Sequence, residues 1–371
     1  MQGEPIGPSP EEMGLKPEDL TITPPQPEKE KQTVEEFARG NNRQFEEYSQ
    51  KDVLADGRIV EIKSATLGSK LKNEDTFLVK FDAPHLVLGV FDGRSSLKAI
   101  KGLEKTGQTG AYFASHLVRD YIDALPADTL PGQALTQANN YLRAESRKVK
   151  GVDEGDKDTW PATGATYVTV DFDTNYLRYA HIADATLLVV DKDGRIEKLT
   201  ANLNERFDAE TFRMIEELAK KKGITNRQAA EDPQIRESLL ESFRKKDNAL
   251  SDSVDIIGRV RKILDGIEEF EDFTGIGILN GDRNLAFYLL DMDQIPLEGI
   301  SEIVLLSDGA IPPGWDINSE SDQKRIVQTL REGEPEALLK RKIESEESDP
   351  EWNVTRTKQS DDATIVYASI K

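Results

Sequence analysis

The sequence predicts a layered α+β domain, and three observations carry that reading. The run Leu86-Val87-Leu88-Gly89-Val90-Phe91 is apolar and partly β-branched, as in a strand buried on both faces, and it ends on Asp92-Gly93. The same grammar returns far along the chain in Ile303-Val304-Leu305-Leu306-Ser307-Asp308-Gly309. Between them, Ala111, Ala114, Leu117, Val118, Tyr121, Ile122 and Leu125 keep helical spacing, and Ala134, Leu135, Ala138, Tyr141 and Leu142 repeat it, so a helix pair is expected to cover one face of a sheet.

In chain order, residues 1 to about 32 read as disordered: seven of the 17 prolines fall within residues 1 to 27 among Glu, Ser and Thr, a makeup that cannot bury enough surface to fold. Thr33-Val34-Glu35-Glu36 has the form of a capping box and predicts a polar, peripheral helix running towards Tyr48. Residues 1–52 are therefore set apart from a domain over 53–371. Arg58 to Lys63 alternates like a half-buried strand, followed by the Gly68 to Asp75 loop and strands over 76–80 and 86–91. After the helix pair, the Gly- and Asp-rich stretch 151–159 reads as a loop. Strands are expected over 164–172, 176–182 and 186–191, joined as an antiparallel meander, with Asp193-Gly194 turning into a further strand over 195–199.

Residues 201–272 change to long charged helices, with Phe212, Ile215 and Leu218 on one face of Asp208 to Lys221, and read as an inserted helical subdomain or lid. Sheet-like sequence returns over 275–281 and 285–290 and in the strand ending at Asp308. Helices over 322–330 and 335–343, an exposed acidic stretch over 344–351 and a final strand over 363–368 complete the reading.

Composition narrows the chemistry. Without cysteine there are no disulfides, zinc-thiolate sites or thiol nucleophiles. The 48 basic and 69 acidic residues, formally −21, argue against binding to nucleic acid or anionic lipid and favour cations or basic partners. No run approaches the roughly 18 apolar residues of a membrane span, and the first residues lack a signal-peptide pattern, so the expectation is a cytoplasmic protein with no membrane contact.

Acids recur where strands begin or end: Glu74-Asp75 before strand 76–80, Asp92, Asp308, and Asp361-Asp362 before the last strand. One Asp-Gly at a strand end is ordinary turn chemistry; recurrence at four places suggests a shared acidic centre. An oxygen-only donor set suits Mg²⁺ or Mn²⁺ rather than zinc or copper. Asp184, in Ala183-Asp184-Ala185, read alone is a turn residue. His85, His116 and His181 read as structural.

The ordered motifs Asn73-Glu74-Asp75, Val90-Phe91-Asp92-Gly93, Gly164-Ala165-Thr166, His181-Ile182-Ala183-Asp184, Ser307-Asp308-Gly309 and Ser360-Asp361-Asp362-Ala363-Thr364 resemble the metal-dependent protein phosphatases of the PP2C type from about residue 60 onward. The resemblance implies two antiparallel β-sheets packed as a sandwich, flanked by helices on both sides, with two Mg²⁺ or Mn²⁺ ions in a cleft at one end. It implies that Asp92 bridges both ions, that Asp308 and Asp361 hold one, and that Glu74, Asp75 and the Gly93 carbonyl hold the other. Asp184 and Asp308 match a third, weaker site of many bacterial members, although the family's glycine before that acid is Ala183 here. The implied substrates are phosphoserine and phosphothreonine in proteins, attacked by a metal-activated water, and the 201–272 insertion falls where the family carries a variable flap.

Two departures bear on catalysis. Lys70 stands where an arginine usually grips phosphate, keeping charge but losing the bidentate fork. Arg94 stands where the family often has a histidine that protonates the leaving alkoxide; arginine stays protonated and is a poor general acid. Arg94 thus opens an alternative, a pseudophosphatase that binds phosphoproteins without turnover. Crowding repelling acids together has no physical purpose once chemistry is lost, which argues against it. A third possibility, an aspartate nucleophile at Asp191 in Val190-Asp191-Lys192-Asp193-Gly194, fails on its sequel Arg195-Ile196 and on the hairpin character of Asp-Gly.

Overall fold

The computed structural model describes residues 34–41, 43–69, 72–94, 98–153, 155–156, 159–202, 205–233, 278–281 and 291–371. The expected disordered tail, the Thr33 capping box, Lys70, most of the 201–272 insertion and the strand expected over 285–290 lie outside them.

The residues of two antiparallel sheets alternate between different neighbours. One sheet has β3 (Thr76–Asp82), β4 (His85–Arg94), β5 (Ala162–Asp171), β6 (Tyr176–Ile182) and β9 (Asp291–Pro296), in that order. The other runs β1 (Phe45–Val53), β2 (Ile59–Leu67), β11 (Ala363–Ile370), β10 (Ile300–Leu306), β7 (Thr186–Asp191), β8 (Ile196–Lys198). Leu86, Leu88 and Val90 of β4 pack with Val168, Leu187, Ile303, Leu305 and Val366 between the sheets. Val87 and Phe91, one pleat out of phase, face the helices α3 (Gly110–Asp123) and α4 (Pro131–Ser146). Val304 and Leu306 likewise face the opposite way from Leu305, meeting Ile326, Leu330, Leu338 and Leu339 of α7 (Glu320–Ser348). Period-2 alternation therefore gives four layers, helices, sheet, sheet, helices, with three apolar seams.

Local chemistry starts and stops the helices. Thr109 caps α3, its Oγ1 accepting from the N–H of Tyr112 at 3.1 Å, a contact worth about 1 kcal/mol. Pro131 opens α4, where its missing N–H costs nothing. The helices expected over 322–330 and 335–343 are the two arms of α7, broken at Gly333 and at Glu334, whose φ is 63°. The second arm continues through the expected acidic stretch to Ser348.

Two expectations are corrected. The helix towards Tyr48 stops at Gly40 (α1, Val34–Gly40), and Phe45–Val53 is instead edge strand β1, paired with β2 from Phe45↔Leu67 to Val53↔Ile59. Alternating burial from Glu46 to Val53 carries the strand period that the polar composition hid, and α1 itself buries Val34 and Ala38 against α7, so packing begins before residue 53. Strands 164–172, 176–182 and 186–191 are not one meander: β5 and β6 pair, but β7 crosses to the other sheet and pairs with β10 and β8. The crossing is the tight link Ala183-Asp184-Ala185, with Ala183 at φ 80°.

Candidate active site

Alternation continues past the strand ends and turns the inter-sheet seam from apolar to acidic. Phe77 and Val79 of β3 face the other sheet, so Asp75, two residues before Phe77, continues that face. Val90 faces it on β4, and Asp92 and Arg94 follow at the same period. Val366 and Ala368 face it on β11, and Asp362 precedes them in step.

Close backbone approach draws these ends together at glycines. A Cβ on Gly93 would stand 2.3 Å from the Glu74 carbonyl oxygen, and one on Gly309 would stand 1.9 Å from the Asp362 carbonyl oxygen and 2.8 Å from Asp361 Cβ. Either side chain would collide with backbone. Asp184 joins from the sheet-to-sheet link: a Cβ on Gly164, the register partner of Asp92, would lie 3.7 Å from its Oδ1.

A polar frame fixes the acids. Asn73, buried, donates from Nδ2 to Thr66 Oγ1 (2.5 Å), and its Oδ1 accepts from the N–H of Asp75 (3.0 Å). Ser115 of α3 donates its hydroxyl to the Glu74 carbonyl (2.5 Å). Ser307 accepts from the Thr364 N–H (2.9 Å) and gives its own N–H to the Thr364 carbonyl (3.0 Å), locking the end of β10 to the start of β11. Ser307 also tempers the raised pKa of Asp75.

Electrostatics link six aspartates to one another. Loss of water, then Asp362 and Asp361, push Asp75 well above the usual carboxylate range. Loss of water, then Asp75, Asp308, Asp184 and Asp361, do the same to Asp92. Loss of water, then Asp361 and Asp184, lift Asp308 to about 7, partly offset by Lys358 and a hydrogen bond with Asp92.

The structure thus gathers Asp75, Asp92, Asp184, Asp308 and Asp361 at one end of the sandwich, with the backbones of Glu74 and Gly93 beside them. Arg94 closes β4, half-buried and opposite Ala162. Asp191 sits at the other end of β7, where its Oδ1 accepts from the N–H of Arg195 (2.8 Å), a hairpin role. His116 is stacked on Tyr112 and held neutral, its pKa lowered to about 3 by burial and Arg119. His181 is fully buried, bonded to Thr166 and to the carbonyl oxygens of Ala183 and Ala201.

Three roles escaped the sequence reading. Asp362, twin of Asp361, accepts the N–H groups of Ser69 and Glu74 and so holds the acidic loop. Lys342, almost wholly buried, donates to Ser360 Oγ (3.0 Å) and the Asp361 carbonyl (2.9 Å) and pairs with Glu346 (2.7 Å). Its place among Leu338, Leu339 and Ile343 was the available signal, a lysine on an apolar helix face. Lys358 pairs with Asp361 itself.

Among the described residues, no three acids or histidines close into a ready metal-binding set. Their chemistry nevertheless fits hard divalent ions: the donors are all oxygen, their charges repel, and Asp75 Oδ2 is buried without a hydrogen bond.

The protein phosphatase 2C profile matches residues 64–345. The chain belongs to that family, a family of metal-dependent protein serine/threonine phosphatases, and this is its enzyme class. Solved structures with a similar course include the serine/threonine phosphatase Stp1 from Staphylococcus aureus, at 14% identity and TM-score 0.44, covering 88% of this chain and 96% of that one. The Mycobacterium tuberculosis serine/threonine phosphatase PstP/Ppp shows 19% identity and TM-score 0.40, covering 88% and 98%. RsbX in complex with magnesium shows 11% identity and TM-score 0.42, covering 87% and 100%. At such scores they carry no part of the assignment, which rests on the family match. No curated protein sequence matches the chain. No helix among the described residues is long and apolar enough to cross a membrane.

Proposed function

We propose that the chain hydrolyses phosphoserine and phosphothreonine in cytoplasmic phosphoproteins at the acidic end of the sandwich, with two Mg²⁺ or Mn²⁺ ions held there. The observation that carries this reading is the convergence of Asp75, Asp92, Asp184, Asp308 and Asp361, from separate stretches of both sheets, to within mutual electrostatic reach. Asp92 would bridge the ions, Asp308 and Asp361 would hold one, Glu74, Asp75 and the Gly93 carbonyl the other, and Asp184 with Asp308 a weaker third. When bound, such ions supply a water of lowered pKa and positive charge for the phosphoryl oxygens.

The chain's own residues do the rest. Asp362 and Asn73 hold the Glu74-Asp75 loop in place, and Ser307 ties the end of β10 to the start of β11. Arg94, on the Asp92 face of β4, offers a fixed positive charge and two-pronged hydrogen bonding to a phosphoryl group but no transferable proton. Lys70 would add charge at the substrate side. The insertion over 201–272 would form a flap: its helices α5 (Glu205–Lys222) and α6 (Asn226–Glu231) pack Ile215, Ala219, Ala229 and Ala230 on Trp352, in the segment that leads into Asp361.

Arg94 also supports a second reading, a phosphoprotein-binding pseudophosphatase. One experiment separates them: incubation of the full chain with a phosphothreonine peptide and Mn²⁺, then EDTA. The proposed reading requires phosphate release that chelation stops. Release that survives EDTA overturns the metal mechanism, and peptide binding without release establishes the second reading.

A further inference from the structure

Asp361 is gripped from two sides by lysines of different character. Lys342 lies beneath, buried, and pins the backbone through Ser360 Oγ and the Asp361 carbonyl, with Arg43 adding a hydrogen bond to Ser360 Oγ (3.3 Å). Lys358 lies above, three residues before Asp361, and its ammonium pairs directly with Asp361 Oδ1 while its side chain stays 53% exposed. The same ammonium is within electrostatic reach of Asp308 and Asp92. It therefore neutralises the side of the acidic centre that the proposed function gives to one divalent ion.

We propose that Lys358 is a built-in competitor for that ion: its ammonium occupies the Asp361 side of the centre and must leave before a divalent cation can engage Asp361 there. The inference rests on the metal-dependent reading above. Because Lys342 and Arg43 hold the loop backbone independently, Lys358 can let go without unfolding the segment; only a long, half-solvated side chain has to swing away. The exchange trades a single positive charge for a double one at the same carboxylate. Divalent-ion affinity is thereby set below what the carboxylates alone would give.

The test is calorimetric titration of Mn²⁺ into the full chain and its Lys358→Gln and Lys358→Arg variants, with melting curves in EDTA and in saturating Mn²⁺. A half-exposed ion pair contributes modestly, so Lys358→Gln should bind Mn²⁺ about three- to tenfold more tightly, while Lys358→Arg, which keeps a cation, should remain near the wild type. Lys358→Gln should also lower the melting temperature in EDTA more than in Mn²⁺. Equal or weaker Mn²⁺ binding by Lys358→Gln, with normal binding by the wild type, overturns the competitor role and leaves the metal reading standing. Absence of Mn²⁺ binding by the wild type and both variants overturns the metal reading and the competitor role together. Failure of Lys358→Gln to melt cooperatively in saturating Mn²⁺ marks Lys358 as structural and likewise overturns the inference.

Discussion

The two ends of the sandwich use the same residue type to opposite effect. At one end, Asp171 closes β5 and Asp191 closes β7, and each carboxylate is spent on its own turn. Asp171 accepts the N–H groups of Asp173 (3.0 Å) and Thr174 (3.1 Å) and the Thr174 hydroxyl (2.6 Å). Partial burial works against its charge, but these hydrogen bonds prevail and hold its pKa below the ordinary value. At the other end Asp92 and Asp308 also terminate buried strands, yet their pKa values are raised, because loss of water and then neighbouring acids outweigh any stabilising partner. A strand-end aspartate is thus a turn residue or a site residue according to which strand ends the antiparallel topology brings beside it.

That contrast can be broken most forcefully by exchange of charge. Asp92→Asn or Asp308→Asn should lower phosphopeptide turnover by at least about 10²-fold, beyond the loss typical of groups that only support a ligand. Asp171→Asn and Asp191→Asn should leave it nearly unchanged. Steady-state assays in Mn²⁺ decide the matter, and comparable losses at both ends would dissolve the distinction.

Arg94→His sharpens the chemistry of the acidic end. If the alkoxide leaves without a general acid, the wild type should favour aryl phosphates, whose leaving groups need little protonation, over phosphoserine peptides. Histidine should then raise the alkyl rate and narrow the ratio, by some part of the roughly 10²- to 10⁴-fold that general acids contribute. If instead Arg94 clamps the phosphoryl group, the variant raises KM and lowers kcat for both substrates alike, and the missing-acid account has to be withdrawn.

Stability should also differ between the ends. Asp171→Asn, which weakens three hydrogen bonds, should cost about 1 kcal/mol. Asp308→Asn in EDTA should be neutral or stabilising, with a pH signature. The Asp308 pKa rises from 3.8 to about 7 on folding, so the native chain binds the extra proton between those values. Its contribution is complete below about 4 and lost as pH climbs through 7. The gap between variant and wild type should therefore widen in favour of Asn from about pH 4 and level off above 7. His116, lowered from 6.5 to about 3, gives the opposite slope in both proteins and cancels in the difference. The smallest effect belongs to Ala183, whose φ of 80° suits glycine: Ala183→Gly should raise stability by about 0.5 to 1 kcal/mol, read as a modest rise in melting temperature.

Most strands were legible because their apolar runs are long, and the Asp-Gly endings of β4 and of β10 announced themselves by repetition. The sheet in which each strand lies was not legible. Nothing in Thr186 to Asp191 says that the chain has changed sheets, since adjacent strands in sequence alternate alike whether or not they pair. β1 was hidden by charge: an edge strand with one solvated face and few apolar residues reads like a polar helix. The acidic centre was foreshadowed by residue type and order, but the division of labour in Asp361-Asp362 depends on which carboxylate meets the N–H groups of Ser69 and Glu74, a three-dimensional fact. Lys342 and Lys358 escaped for the same reason, their partners being brought close by the fold.

The central claim is that the acids of one end, and not those of the other, form a divalent-metal centre. The most direct measurement is calorimetric titration of Mn²⁺ into the full-length wild type, Asp308→Asn and Asp191→Asn proteins at neutral pH. The account predicts saturable binding to the wild type and Asp191→Asn with matching affinity, and severely weakened binding to Asp308→Asn. Unaltered Mn²⁺ affinity in Asp308→Asn, or its loss in Asp191→Asn, would contradict it.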